Sequence, residues 1–84
     1  MKDDNMMTLT QAPRDKHLKI VAIQGGSEVR RRLFSLGFHT NDVIELDSKS
    51  ILRGPVLIRN INSDSAVAIG RGIAQKIMVE IIGE

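Results

Sequence analysis

Only one stretch of this chain has the spacing, start and stop of an amphipathic helix, and the rest must be arranged around it. From Gly25 to Phe38 it reads Gly-Gly-Ser-Glu-Val-Arg-Arg-Arg-Leu-Phe-Ser-Leu-Gly-Phe. Gly25 and Gly26 interrupt an apolar run, and Ser27 is placed to act as N-cap, its hydroxyl accepting from an early helical N–H. Glu28 puts a negative charge at the positive end of the helix dipole. At about 100° per residue, Val29, Leu33 and Leu36 share one face, the stripe expected to meet the core. Gly37 stands where a left-handed residue is wanted after the helix, and Phe38 follows in position to pack back on Leu33.

The remainder is patterned as short strands. Residues 1–7 are polar and acidic without periodicity and read as a flexible N-terminal tail, leaving a single domain over 8–84. Thr8 is placed to cap one helical turn that Pro13 stops, with Leu9 as its anchor on the core. Residues 18–24 form a first strand with Leu18, Ile20 and Ala22 on one face and Val21 and Ile23 on the other. Apolar residues on both faces imply a central, covered position. Asn41 suits a positive φ in the turn that follows the helix. Residues 43–47 give a second strand with Ile44 and Leu46 inward. Residues 48–53 read as a polar loop, and Gly54-Pro55 opens a third strand, with Val56, Ile58 and Asn60 sharing a face. The run Asn62-Ser63-Asp64-Ser65 marks a hairpin into a fourth strand, 66–69. A single helical turn with Ile73 and Ala74 inward follows. The last strand, 76–82, has Ile77, Val79 and Ile81 inward. Five short strands and one helix after the first predict a mainly β fold, a small partly open barrel that limits its exposed edges.

Composition narrows the function. Eighty-four residues make one domain that buries about 60–65% of its unfolded surface. Small cores of this kind are often supplemented by self-association, so a homo-oligomer is one expectation. With no cysteine, disulfides and thiolate metal sites are excluded, which suits a reducing cytoplasm. The net charge is only +2, and the aromatic residues are two phenylalanines. A dense basic coat and base-stacking platforms are both missing, so nucleic acid is not an expected partner. The apolar runs are too short for membrane insertion, and the acidic start is no signal peptide. A cytoplasmic protein is expected.

No triad spacing, nucleophile elbow or phosphate-binding loop is present, so no enzyme is expected. Gly25-Gly26 ahead of a helix reads as a turn, and Glu28 opposes an incoming phosphate. His17 and His39 read as surface histidines near loops. Asp42, Glu45 and Asp47 read as solvated outer-face charges. No metal ligand set and no cofactor are expected. Arg30, Arg31 and Arg32 fan around the helix. They are either a solvated face whose stems cover the core edge or a basic surface for a partner. Phe34 lies about 140° off the apolar stripe, one turn after Arg30. It is either a contact spot or packed under the N-terminal turn near Leu9.

In this order and spacing the pieces resemble the FeoA family, small cytosolic proteins that accompany the ferrous-iron transporter FeoB. The likeness runs from about Thr8 to Glu80. It rests on Leu9, on Ile20-Val21-Ala22-Ile23 with Gly25-Gly26, and above all on Arg31-Arg32-Leu33-Phe34-Ser35-Leu36-Gly37-Phe38. Asp42-Val43-Ile44, Gly54-Pro55-Val56, Ala74 and Ile77-Met78-Val79-Glu80 complete it. Two positions depart from the family pattern: Arg14-Asp15-Lys16 stands where a glycine is common before the first strand, and Asn41 replaces another glycine.

The resemblance implies an SH3-like β-barrel and a non-enzymatic role in ferrous-iron uptake, exerted by binding the cytoplasmic part of the transporter. The same fold occurs as the C-terminal domain of iron-dependent repressors, so a stand-alone metal-responsive module, with transition-metal binding, is the alternative. The residues placed for a partner are Arg30, Arg31 and Phe34 on the helix and the Leu52-Arg53-Gly54-Pro55 loop.

Overall fold

The computed structural model describes residues 6–47 and 54–82. Its strands are β1 (Met6–Thr8), β2 (His17–Ile23), β3 (Val43–Leu46), β4 (Val56–Asn60), β5 (Ala66–Ile69) and β6 (Ile77–Ile82). Helix α1 (Gly26–Ser35) joins β2 to β3, the single turn α2 (Arg71–Ala74) joins β5 to β6, and a 3₁₀ turn (Leu9–Gln11) follows β1. All strand pairs are antiparallel, in the order β1-β6-β2-β3-β4-β5. The turns that follow the two edge strands touch each other, with Leu9 and Ala74 fully buried. The curved sheet is thereby drawn toward closure.

Period-2 alternation fills the interior. Ile44 and Leu46 of β3, Val56 and Ile58 of β4, and Ile77 and Val79 of β6 are all buried. Each such side chain contributes about 1.5–3 kcal/mol over an exposed one. Leu33 is the buried residue of α1, and Phe38 joins it in the core just past the helix.

Several features differ from the sequence reading. The described residues form six strands rather than five, because Met6 and Met7, expected in the tail, pair with Glu80 and Val79 as β1. Three residues carry too little alternation to be seen as a strand; the free edge of β6 supplies their partner. In β2 the register shifts between Ile20 and Ala22, a bulge that re-aims the strand. Ile23 is therefore buried while Ala22 is half-buried, the reverse of simple alternation.

Ser27 is not the N-cap. Gly25 holds that position with φ 96°, and Gly26 follows at φ 88°, so Ser27 lies within the first turn. The left-handed φ at Gly25 is one that side-chain-bearing residues rarely adopt, and a β-carbon there would also have to displace the Lys76 side chain, 2.5 Å away. Leu36, expected inward, is 37% exposed. The helix has ended at Ser35, and Gly37 at φ 94° swings the chain so that Phe38 enters the core instead. Asn41 takes a positive φ of 80°, as expected of its place in the turn.

Candidate functional site

The site begins with the way α1 stops. The Gly37 N–H donates to the Phe34 carbonyl (3.0 Å) and the Phe38 N–H to the Leu33 carbonyl (2.9 Å), the paired bonds of a Schellman ending. The chain then makes a tight corner over residues 39–42. Asn41 N–H donates to the Ile20 carbonyl (2.7 Å) and Ile20 N–H to the Asp42 carbonyl (2.9 Å), which pins the corner to β2.

Asn60 fastens the corner from behind. It is the one buried polar side chain among the described residues, 3% exposed. Its amide nitrogen donates to the Gly37 carbonyl (3.0 Å) and to Asp42 Oδ2 (3.1 Å). Its amide oxygen accepts from the Asn62 N–H (3.0 Å) and the Ser63 N–H (3.5 Å). A buried amide satisfied on both ends orders three segments at once.

Asp42 Oδ2 also accepts from the His39 N–H (2.7 Å) and pairs with His39 Nδ1 (2.9 Å). An ionised carboxylate only accepts, so this contact assigns the imidazole proton to Nδ1. Asp42 is therefore not the solvated charge its sequence suggests, while His39 keeps a partly exposed ring beside the loop. The held imidazole meets the Phe34 ring edge-on, with centroids 4.7 Å apart and planes at 73°.

Phe34 does not pack near Leu9; it is 66% exposed and forms a wall of an open groove of about 280 Å³. Ile23 and Phe38 line the groove together with Arg30, His39 and Thr40. Arg30, Arg31 and Arg32 are all exposed, and none forms an ion pair with a described residue.

Of the residues placed for a partner, the structure brings Arg30 and Phe34 together and leaves Arg31 exposed beside them on α1. Gly54 is half-buried and Pro55 exposed, at the other end of β4 from Asn60, roughly 16 Å of strand away. Leu52 and Arg53 lie outside the described residues. His39, Thr40 and Asn60 were missed as site residues. The available signal for Asn60 was a polar residue on the inward face of an otherwise apolar strand.

On the β3–β4 face charge is paired within the chain. Arg59 donates to Glu45, its direct cross-strand partner, and to Asp64 (3.0 Å). The Asp64 hydrogen bond first, and then the charge of Glu45, raise the Arg59 pKa above its ordinary value. Glu45 is thus a paired charge on the sheet face rather than a solvated one. Among the described residues no group of three histidine or acidic side chains is placed to hold a metal ion.

The fold has solved counterparts. A crystal structure described as the iron uptake regulatory protein FeoA is 27% identical, with 92% of this chain and 99% of that one covered at a TM-score of 0.79. An NMR structure of a FeoA-like protein from Clostridium acetobutylicum is 21% identical, with 100% and 93% covered at a TM-score of 0.78. A manganese-dependent transcriptional repressor in complex with manganese is 17% identical over 92% of this chain but 37% of its own, at a TM-score of 0.79. The SH3-like barrel is therefore common to iron-uptake proteins and a repressor. No curated protein matches. A domain model does match, the FeoA domain over residues 7–81, which takes in every strand but the first residue of β1 and the last of β6, and on that match the chain belongs to the FeoA family.

Proposed function

We propose that this chain is a non-enzymatic accessory protein of ferrous-iron uptake that acts in the cytoplasm by binding the cytoplasmic region of a FeoB-type transporter. The observation that supports this reading is the groove at the end of α1. An exposed phenylalanine, held edge-on against a tethered histidine, lies one helical turn from an arginine that has no ion-pair partner among the described residues. Exposed aromatic and arginine side chains together are the residues that dominate protein interfaces. No helix is long and apolar enough to cross a membrane among the described residues.

The test is recovery of the transporter from detergent-solubilised membranes on the tagged chain, in several nucleotide states. Recovery that falls with Phe34→Ala supports the reading. Failure to recover the transporter in any state overturns it.

A stand-alone metal-responsive module is the second reading, favoured by the likeness to a repressor fold. Calorimetry with ferrous iron separates the two: saturable heat supports direct sensing, and its absence at millimolar metal sinks it.

A further inference from the structure

The groove also indicates the chemistry of its occupant, an inference that rests on the partner-binding reading above. We propose that it takes an acidic peptide segment that inserts one phenylalanine or leucine side chain beside Phe34 and sets a carboxylate against Arg30.

Three observations support this. The groove, about 280 Å³ and open to solvent, lies at the bottom of the size range of ligand pockets, about 300–1,000 Å³, and has room for a side chain of a peptide lying across it. Its apolar surface is chiefly Phe34, over a floor formed by the largely buried Ile23 and Phe38, and favours an aromatic or branched aliphatic group.

The rim carries uncompensated positive charge. Arg30 lines the groove, and neither it nor Arg31 or Arg32 has an ion-pair partner among the described residues. Asp42, the carboxylate fixed to the groove's His39, already accepts from both His39 and Asn60. The Arg30 fork is therefore open to a bidentate carboxylate from outside.

The wall is also preorganised. Asn60 holds Asp42, Asp42 holds His39 through backbone and ring, and His39 backs Phe34. Little ordering of the groove remains to oppose binding. A second groove, between Glu28, Val29, Arg32 and Ile73, has charges of both signs at its rim and selects no such ligand.

The experiment is a titration of the full chain, labelled with nitrogen-15, with a short synthetic peptide carrying one central phenylalanine among glutamates and aspartates. Shifts are expected at the amides of Phe34, Phe38, His39 and Thr40. Binding weakens roughly tenfold or more when the peptide's carboxylates become amides, when its phenylalanine becomes serine, or when the protein carries Arg30→Gln or Phe34→Ala. Both protein substitutions alter exposed side chains, so their spectra keep native dispersion. Equal binding of the amide peptide overturns the proposal, as do shifts mapping elsewhere or tighter binding of oligothymidylate at the same amides.

Peptide binding at the groove without recovery of the transporter supports the ligand class and removes only that partner. Recovery of the transporter that survives Phe34→Ala keeps the transporter reading and overturns this one.

Discussion

The β3–β4 face and the outer face of α1 both present arginine, and the two differ in what the fold does with it. On the sheet, Arg59 faces Glu45 across the strands and reaches Asp64 in the hairpin. Its charge is answered within the chain, and its raised pKa keeps the arginine side of those pairs charged. A guanidinium stabilised by partners contributes fully below its ordinary pKa and loses that contribution only as pH rises through the higher folded value, far above neutrality. On the helix, Arg30, Arg31 and Arg32 sit in sequence with no ion-pair partner among the described residues. One region spends charge on itself and the other leaves it available. The same division separates Leu33, buried at 1% exposure, from its neighbour Phe34, which is left to solvent.

Substitutions in the self-satisfied parts should damage folding, and the largest effect is expected at Asn60. Asn60→Asp replaces an amide donor with an acceptor facing the Gly37 carbonyl and Asp42. A buried charge left uncompensated should cost about 3–5 kcal/mol at neutral pH. The introduced carboxyl would have its folded pKa raised by that like charge, so the folded state binds the proton more tightly. The deficit should therefore shrink as pH falls toward and below about 4. Urea unfolding at several pH values measures it; a deficit that does not vary with pH would show that Asp42 does not face this site.

Next in size is Leu33→Ala, a core deletion under α1 expected to cost about 2–5 kcal/mol. It sharpens the comparison because Phe34→Ala, one residue on, should stay within about 0.5 kcal/mol of the parent, as surface changes do. Thermal melts of the two variants side by side decide the matter. Equal losses would mean that Phe34 packs into the fold.

These two sites also show what could be read from the sequence. The Leu33 stripe, the Gly37 stop and the return of Phe38 are local events within one or two turns, so spacing alone exposes them. The strand alternation of Val43–Leu46 and Val56–Asn60 is equally local. What escaped depends on distant partners. Asn60 meets Gly37 and Asp42 across separations of 23 and 18 residues, and no local pattern announces that meeting. β1 exists because β6 has an edge to offer, and the bulge in β2 exists because Ile23 must face Ile77. A helical period continued past Ser35 turns Leu36 inward, but the helix has stopped by then. In the candidate site, Arg30 and Phe34 share a face at four-residue spacing and were legible, whereas the His39 wall depends on Asp42 and Asn60 and was not.

A smaller effect is expected from Arg59→Gln. It removes both ion pairs of an exposed side chain, so the midpoint of thermal unfolding should drop slightly at low salt and converge with the parent at high salt, where screening weakens such pairs in any case. A loss that persists in high salt would show that the Arg59 stem is packed and that the sheet face depends on more than charge.

The smallest effect on stability, and the most informative, belongs to Arg31→Glu. With no ion pair among the described residues to break and an exposed position, the reversed charge should leave the melting temperature nearly unchanged. It also reverses a charge on the exposed surface beside Arg30 and so lowers the positive potential that an acidic partner would meet. Capture of the transporter from membranes should therefore fall while the fold persists, the converse of the behaviour expected at Asn60. If Arg31→Glu melts early, α1's outer face is tied into the fold in the way Arg59 is tied into the sheet, and the contrast between the two regions collapses. If it neither melts early nor weakens capture, the free arginines are a solvated face and the groove must bind without their help.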